Sequence, residues 1–235
     1  MAEPNQVLVV AAHPDDEVLG CGGTVRRLVD AGWRAHLVIL SGGIGGRYAL
    51  TMSDGSQVQA EQASLRSQTE QAASIIGFSG IDRFDFPDNR MDMVSRSELA
   101  LVLRQTVKNL RPTLVLTHHP GDYNWDHTRA FEAVMMAARV NPPKFNPAEI
   151  RTFEVLSSTE RAWQEPARAF HPNLYVDISA TIESKKRALQ TYATEYRPYP
   201  HARSIEGVEY LARKRGLEAG MTHAEAFHIV RRIEA

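Results

Sequence analysis

The chain has 235 residues, 43% hydrophobic and 23% charged, the balance of an ordinary globular protein with enough apolar residues for a sizeable core. A formal net charge of −1 without a segregated basic block excludes the electrostatic footprint of a nucleic-acid binder and favours a small, neutral or mildly polar substrate. The single Cys21 excludes an intramolecular disulfide framework and a paired-thiolate metal site, so any metal must be held by His and carboxylate.

Residues 1–6 have neither the basic start nor the apolar core of a signal peptide, and no later run approaches about 18 apolar residues; a cytoplasmic protein without a membrane partner is expected, monomeric or homo-oligomeric. Residues 7–12 are an apolar, β-branched run with the length of a fully buried parallel strand. Pro14 halts that strand and fits the first positions of a new helix, whose first turn holds Asp15, Asp16 and Glu17. Exposed amide N–H groups and the helix dipole favour carboxylates there, so helix capping is the plain reading of all three. Helical spacing continues over residues 17–31 and closes at Gly32. Inside it, Gly20-Cys-Gly-Gly-Thr24 lacks the third glycine of a dinucleotide fingerprint, and close packing on a sheet is the simpler reason for the small residues.

Residues 34–40 form the second expected strand, which runs into a glycine-rich loop, 41–48, carrying Arg47. A helix over 57–76 and a strand over 81–86 follow, the strand ending in Pro87-Asp88-Asn89. Ser95 with Glu98 three residues on marks a capped helix start, and that helix ends before Pro112. Residues 113–117 read as a fourth buried strand, 118–125 as a loop and 126–139 as a helix. After a proline-rich connection at 140–147, strands are expected over 152–157 and 173–178, a helix over 179–196, and two short helices around 208–215 and 224–233. This alternation predicts an α/β fold in one domain: a doubly wound, mostly parallel sheet with helices on both faces and a small C-terminal helical extension. Residues 1–140 form the core that carries the site, and 141–235 add strands and helices.

Open α/β sheets bind ligands beyond the carboxyl ends of their strands, where strand order reverses; in the usual order the first and fourth strands flank that point. The first strand ends in His13, Asp15 and Asp16, and the loop after the fourth carries His118, His119, Asp122, Asn124, Asp126 and His127. One carboxylate would suffice for capping, so His followed by paired Asp reads better as a site. A catalytic zinc takes three His or carboxylate ligands and keeps a position for water. His13, Asp16 and His127 supply such a set, and Asp15 is then free to take a proton from that water. For His118 and His119 the plainer reading, hydrogen bonding to backbone, prevails. Arg47 is a candidate for gripping a substrate phosphate or carboxylate, against the plainer reading of a solvated loop arginine. Trp125 offers an aromatic face to a substrate ring or simply packs. Asp122 and Asp126 are placed to orient their neighbours or meet the substrate, and Asp126 doubles as a helix N-cap.

His13-Pro-Asp-Asp-Glu17 after a first strand, with Asp126-His127 opening a helix after the fourth, resembles the PIG-L or LmbE-like family of zinc-dependent N-acetylglucosaminyl deacetylases. Phe86-Pro-Asp-Asn89, the helix bearing Arg66 and Thr117-His-His-Pro-Gly-Asp-Tyr-Asn124 extend the resemblance over nearly the whole chain. It implies a Rossmann-like fold; Zn²⁺, or another divalent ion such as Fe²⁺, held by His13, Asp16 and His127; and Asp15 as general base on the water. The implied reaction removes the acetyl group of a GlcNAc-type sugar or conjugate, with Arg66 and Asp88 gripping sugar hydroxyls. One position departs from the family pattern. Where many relatives carry His three residues before the last ligand, this chain has Asn124, which can donate a hydrogen bond to an oxyanion but supplies no proton near pH 7. Asp15 must then serve as both base and acid, or His201 or His119 supplies the proton. The rivals are an amidase for a larger acyl or thiol-conjugate amide and a non-catalytic carbohydrate-binding relative.

Overall fold

The computed structural model describes residues 4–44, 55–140, 147–163 and 165–234. Strands β1 (Gln6–Ala11), β2 (Arg34–Ile39), β3 (Gly80–Arg83), β4 (Leu114–His118), β5 (Glu149–Phe153), β6 (Leu174–Asp177) and β7 (Ala224–Arg232) lie in one sheet, ordered β3-β2-β1-β4-β5-β7-β6. β1 to β5 pair in parallel, and β7 runs against both of its neighbours, β5 and β6. Order reverses between β1 and β4, which pair directly through Val7, Leu8 and Val9 against Leu114, Val115 and Leu116.

Helices α1 (Asp16–Asp30), α2 (Gly55–Ile76), α3 (Arg96–Leu110), α4 (Trp125–Ala137), α5 (Ile182–Thr191) and α6 (Ile205–Ala219) cover the two faces. Because strand side chains alternate, Val7, Val9 and Ala11 pack with Val18 and Val25 of α1, Ala72 of α2 and Leu189 of α5. Leu8, Val10 and Ala12 turn the other way, onto Leu99 and Leu103 of α3 and Val134 of α4. A strand buried on both faces has no use for polar residues, which is why β1 reads as an unbroken apolar run. Ser95 caps α3 as its spacing predicts, its hydroxyl accepting from the Glu98 N–H at 3.2 Å. Among the described residues no helix is long and apolar enough to cross a membrane.

The last expected helix, 224–233, is instead strand β7, so the C-terminal extension consists of α6 and a strand inside the sheet. Local spacing there is ambiguous, and the outcome is decided by β5 and β6, which take up its backbone on both sides. β5 lies at Glu149–Phe153 rather than 152–157. α5 is shorter than 179–196 because Tyr192, just past its end, turns fully inward.

Helix α1 sits close against the sheet. A Cβ on Gly20 would clash with the Phe153 ring, and one on Gly23 would lie 2.9 Å from Ile178, so packing accounts for these two glycines. A buried ion pair enters the same stretch. Lys185 Nζ donates to the Leu19 carbonyl (2.8 Å) and to Glu225 Oε1 (2.6 Å), while Glu225 accepts from the N–H groups of Gly23 (2.9 Å) and Thr24 (2.7 Å). Leu19 C=O and Gly23 N–H are groups that one regular helical turn joins, so the ion pair sits at the ladder of α1 and ties it to α5 and β7.

Gly20→Ala gains about 1 kcal/mol of helix propensity but loses about 1–3 kcal/mol to overpacking; a lower denaturation midpoint is expected, and a raised one would refute the steric account. Lys185→Met leaves the Glu225 carboxylate buried without its cation, at a cost of about 3–5 kcal/mol. Urea unfolding should show that loss, with part of it recovered in the Lys185→Met/Glu225→Gln double variant.

Candidate metal centre

β1 hands over to α1 through Asp15, whose backbone is left-handed (φ 92°, ψ −26°). For a non-glycine residue this costs about 1–3 kcal/mol and persists only where surrounding contacts hold it. Here the Asp15 carbonyl accepts from the N–H groups of Val18 (3.0 Å) and Leu19 (2.9 Å), and its own N–H donates to Glu17 Oε2 (3.1 Å). The other Glu17 oxygen accepts from the Tyr192 hydroxyl at 2.6 Å, and burial pushes the Glu17 carboxyl up to about 7. Neither aspartate caps the helix. Asp15 makes no side-chain cap bond, and Asp16 Oδ2 accepts from the His13 backbone N–H at 2.8 Å.

Asp16 Oδ2 lies 3.4 Å from His13 Nδ1 and 3.4 Å from His127 Nε2. His13, Asp16 and His127 each present a ligand atom within 4.8 Å of the others. Both imidazoles are backed by carboxylates on their remote nitrogens. His13 Nε2 faces Asp126 Oδ2 at 2.9 Å and Asp88 Oδ1 at 3.1 Å, and His127 Nδ1 faces Asp122 Oδ1 at 3.2 Å. The backing groups are themselves fixed. Asp126 accepts from the N–H groups of Asn89 (2.7 Å) and Met91 (3.0 Å); Asp122 accepts from the Ser158 hydroxyl, the Thr159 hydroxyl (2.6 Å) and the Asn124 N–H (2.9 Å). A carboxylate on the far nitrogen orients the ring and leaves the near nitrogen for a cation.

The electrostatics agree. Burial opposes a charge on His127, yet Asp16 and Asp122 outweigh it and raise its pKa to about 9. Burial likewise works against the Asp122 carboxylate, and His127 with the two hydroxyls holds its pKa at about 2. Two buried carboxylates thus draw positive charge to the His127 side of the cluster, and the His₂Asp donor set suits a divalent ion. His118 takes no part as a ligand. Its Nε2 accepts from the Ala12 N–H at 2.8 Å, burial pushes its pKa down to about 3, and its neutral ring stacks on His127 with centroids 3.9 Å apart. His13, Asp88 and Asp126 form a second possible ligand group, but both Asp126 oxygens are already engaged by backbone N–H groups.

A cleft of about 280 Å³ opens beside the cluster, lined by His13, Asp15, Asp88, Asn89, Asn124, Glu195 and Arg203 among others. Burial pushes the Asp15 carboxyl up, against the pull of Arg203 at 2.8 Å. Asn124, rather than Asp126, is the N-cap of α4: its Oδ1 accepts from the Asp126 N–H at 2.9 Å, and its Nδ2 lies 3.4 Å from Asn89 Oδ1. Asp122, read as orienting its neighbours or meeting the substrate, is buried behind His127 and outside the cleft lining. Arg66 pairs with Asp85 at 3.5 Å and lines a separate hollow with Pro14 and Ser41. His119 donates to the Arg168 carbonyl (2.7 Å), and His201 Nδ1 accepts from the Arg203 N–H (3.0 Å); neither lines the cleft, so the two expected proton donors are placed elsewhere. Trp125 is exposed and outside the lining. Arg47 lies outside the described residues. Sequence reasoning missed Asn89, Glu195 and Arg203: Glu195 falls at the end of the expected helix 179–196, and Arg203 in the motif-free loop that also carries His201.

The sequence model of the GlcNAc-PI de-N-acetylase (PIG-L) family matches residues 8–138. The chain belongs to the PIG-L family. Diacetylchitobiose deacetylase of Thermococcus kodakarensis is 29% identical over 203 residues, covering 81% of this chain and 70% of the relative. 4-Oxalmesaconate hydratase of Pseudomonas putida is 26% identical over 195 residues, covering 79% of this chain and 72% of the relative. The fold is shared with the solved N,N′-diacetylchitobiose deacetylase of Pyrococcus horikoshii, with a TM-score of 0.77 at 24% identity over 97% of this chain and 84% of that one.

His127→Ala is expected to lower bound divalent metal well below one per chain by elemental analysis; unchanged stoichiometry would remove His127 from the ligand set. Asp122→Asn, which spares all three ligands, should weaken metal affinity about 10- to 100-fold in a chelator competition.

Proposed function

We propose that this PIG-L family member is a metal-dependent hydrolase that removes the acetyl group from an N-acetylamino sugar or its conjugate. The observation that carries the reading is the division of labour between adjacent aspartates: Asp16 meets the two backed histidines, while Asp15 lines the cleft beside them. The deacetylase relative supports it. Zinc, or another divalent ion, held by His13, Asp16 and His127 supplies Lewis-acid polarisation of the acetyl carbonyl and acidifies water.

The chain's own groups do the rest. Asp15 accepts a proton from the attacking water as the water oxygen bonds to the acetyl carbon. Asn124, whose Oδ1 is committed to capping α4, has Nδ2–H to offer the developing oxyanion. The C–N bond then breaks, acetate leaves, and the amine takes its proton from Asp15, because Asn124 has none to give.

Charge at the cleft narrows the substrate. Among its described lining residues Asp15 and Glu195 are paired with the guanidinium of Arg203 and Asp88 faces His13, so the charges of the lining are matched among themselves. Such a surface favours a neutral, hydroxyl-rich sugar over one bearing phosphate or carboxylate. A hydratase reading has one relative and Asn124 in its favour, since adding water to a C=C bond needs no protonated amine leaving group. The lining opposes it, since its guanidinium is already paired with Asp15 and Glu195 and that relative's name denotes a carboxylate substrate.

Metal-loaded protein should release acetate and free amine from N,N′-diacetylchitobiose with a higher kcat/KM than from N-acetylglucosamine 6-phosphate; the reverse order would overturn the neutral-sugar assignment. Release from no N-acetyl sugar would overturn deacetylation. Asp15→Asn should keep the metal and lose about 10²- to 10⁴-fold in kcat.

A further inference from the structure

The family match ends at residue 138, yet two residues from beyond it line the cleft. Arg203 reaches back across 188 positions to Asp15, with Nη1 2.8 Å from Asp15 Oδ2. The same nitrogen lies 3.3 Å from Glu195 Oε2, and Nε donates to the Ser157 hydroxyl at 2.7 Å. A planar guanidinium fixed on two edges is a rigid clamp; an ammonium on a flexible stem is not.

Asp15 calls for such a clamp. Its backbone is left-handed and its side chain makes no cap bond to α1, so the helix that follows does not hold its carboxylate. Arg203 engages Oδ2 and thereby fixes the plane of a carboxylate that lines the cleft. Glu195 and Ser157 hold Arg203 in turn, so Ser157, Glu195 and Arg203, all from beyond the family match, determine how Asp15 is presented.

We infer that Arg203 is a positioning residue: it fixes the Asp15 carboxylate in the geometry that accepts a proton, with Glu195 and Ser157 setting its own orientation. The inference rests on Asp15 acting as the base of the hydrolysis proposed above. Arg203 is hydrogen-bonded to Asp15, Glu195 and Ser157 and to none of His13, Asp16 and His127, so its loss acts on kcat through Asp15. Displacing a catalytic group by about 1 Å costs on the order of 10²-fold in rate.

Arg203→Lys, Arg203→Ala, Asp15→Asn and Asp15→Asn/Arg203→Ala would be compared with the metal-loaded wild type on N,N′-diacetylchitobiose. Arg203→Ala should lose roughly 10²-fold in kcat with KM and metal content near wild type, and guanidinium ion added to the assay should restore part of the loss. In the Asp15→Asn background the same change should cost nothing further, because the residue acts through Asp15. Wild-type kcat in Arg203→Ala, or an equal loss with Asp15 already removed, overturns the inference. Arg203→Lys retains the charge beside the buried Asp15, and serves if Arg203→Ala fails to fold. A crystal structure of either variant decides independently of turnover: the Asp15 carboxylate should leave its present position, and an unmoved carboxylate overturns the inference. Absence of acetate release by the wild type would count against the deacetylase reading alone.

Discussion

Everything at the site depends on β1 and β4 lying side by side and parallel. Residues 13 and 127 are 114 positions apart, and the pairing of Val7, Leu8 and Val9 with Leu114, Val115 and Leu116 is what brings the ends of their strands to one place. His118 completes that pairing where the regular ladder stops, its Nε2 taking the Ala12 N–H and its ring stacking on His127. A strand-end histidine that looks like a metal ligand is therefore part of the frame that aligns the ligands. Were its lone pair free for a metal, the Ala12 N–H would be left buried without its acceptor, a loss of about 1–3 kcal/mol.

A second constraint is the density of buried charge. Asp15, Asp16, Glu17, Asp122 and Asp126 are all almost wholly out of water. Each meets an imidazole, a guanidinium, a hydroxyl or backbone N–H groups. Ionised groups are tolerated at such depth only when paired in this way. The contacts are divided by role: the carboxylates behind the histidines are fully saturated by neighbours, whereas Asp15 has its clamp on one oxygen and faces the cleft. Saturation gives rigidity where orientation matters, and Asp15, held from one side, lines the cleft where chemistry is expected.

The parts of this arrangement that were legible in the sequence are those with a local signature. The apolar run of β1, the break at Pro14, the Ser95–Glu98 capping pair and the His-Pro-Asp-Asp motif state their structure within a few residues, and the strand order that joins the two halves of the site follows from parallel crossover rules. Contributions decided by distant partners were not legible. The stretch from Ala224 fits a helix as well as a strand until β5 and β6 claim its backbone. Arg203 is one arginine among many until its guanidinium is seen on Asp15, and nothing near Asp122 indicates that its carboxylate is spent on Ser158, Thr159 and His127. The departure at Asn124 was visible, but its commitment to capping α4 was not.

The position of β7 bears on how the chain comes to exist as a folded molecule. β7 follows β5 and β6 in the chain yet lies between them, so until residues 224–232 are made β5 lacks its partner on that edge and β6 lacks the strand it pairs with. Glu225 arrives at the same moment to meet Lys185 and the N–H groups of α1. A nascent chain holding all of residues 8–138, the span of the family match, is accordingly still an unfinished sheet with an adhesive edge until β7 is made. Completing this sheet therefore depends on a pairing between residues about 80 positions apart, β5 with β7, rather than on neighbours in the chain.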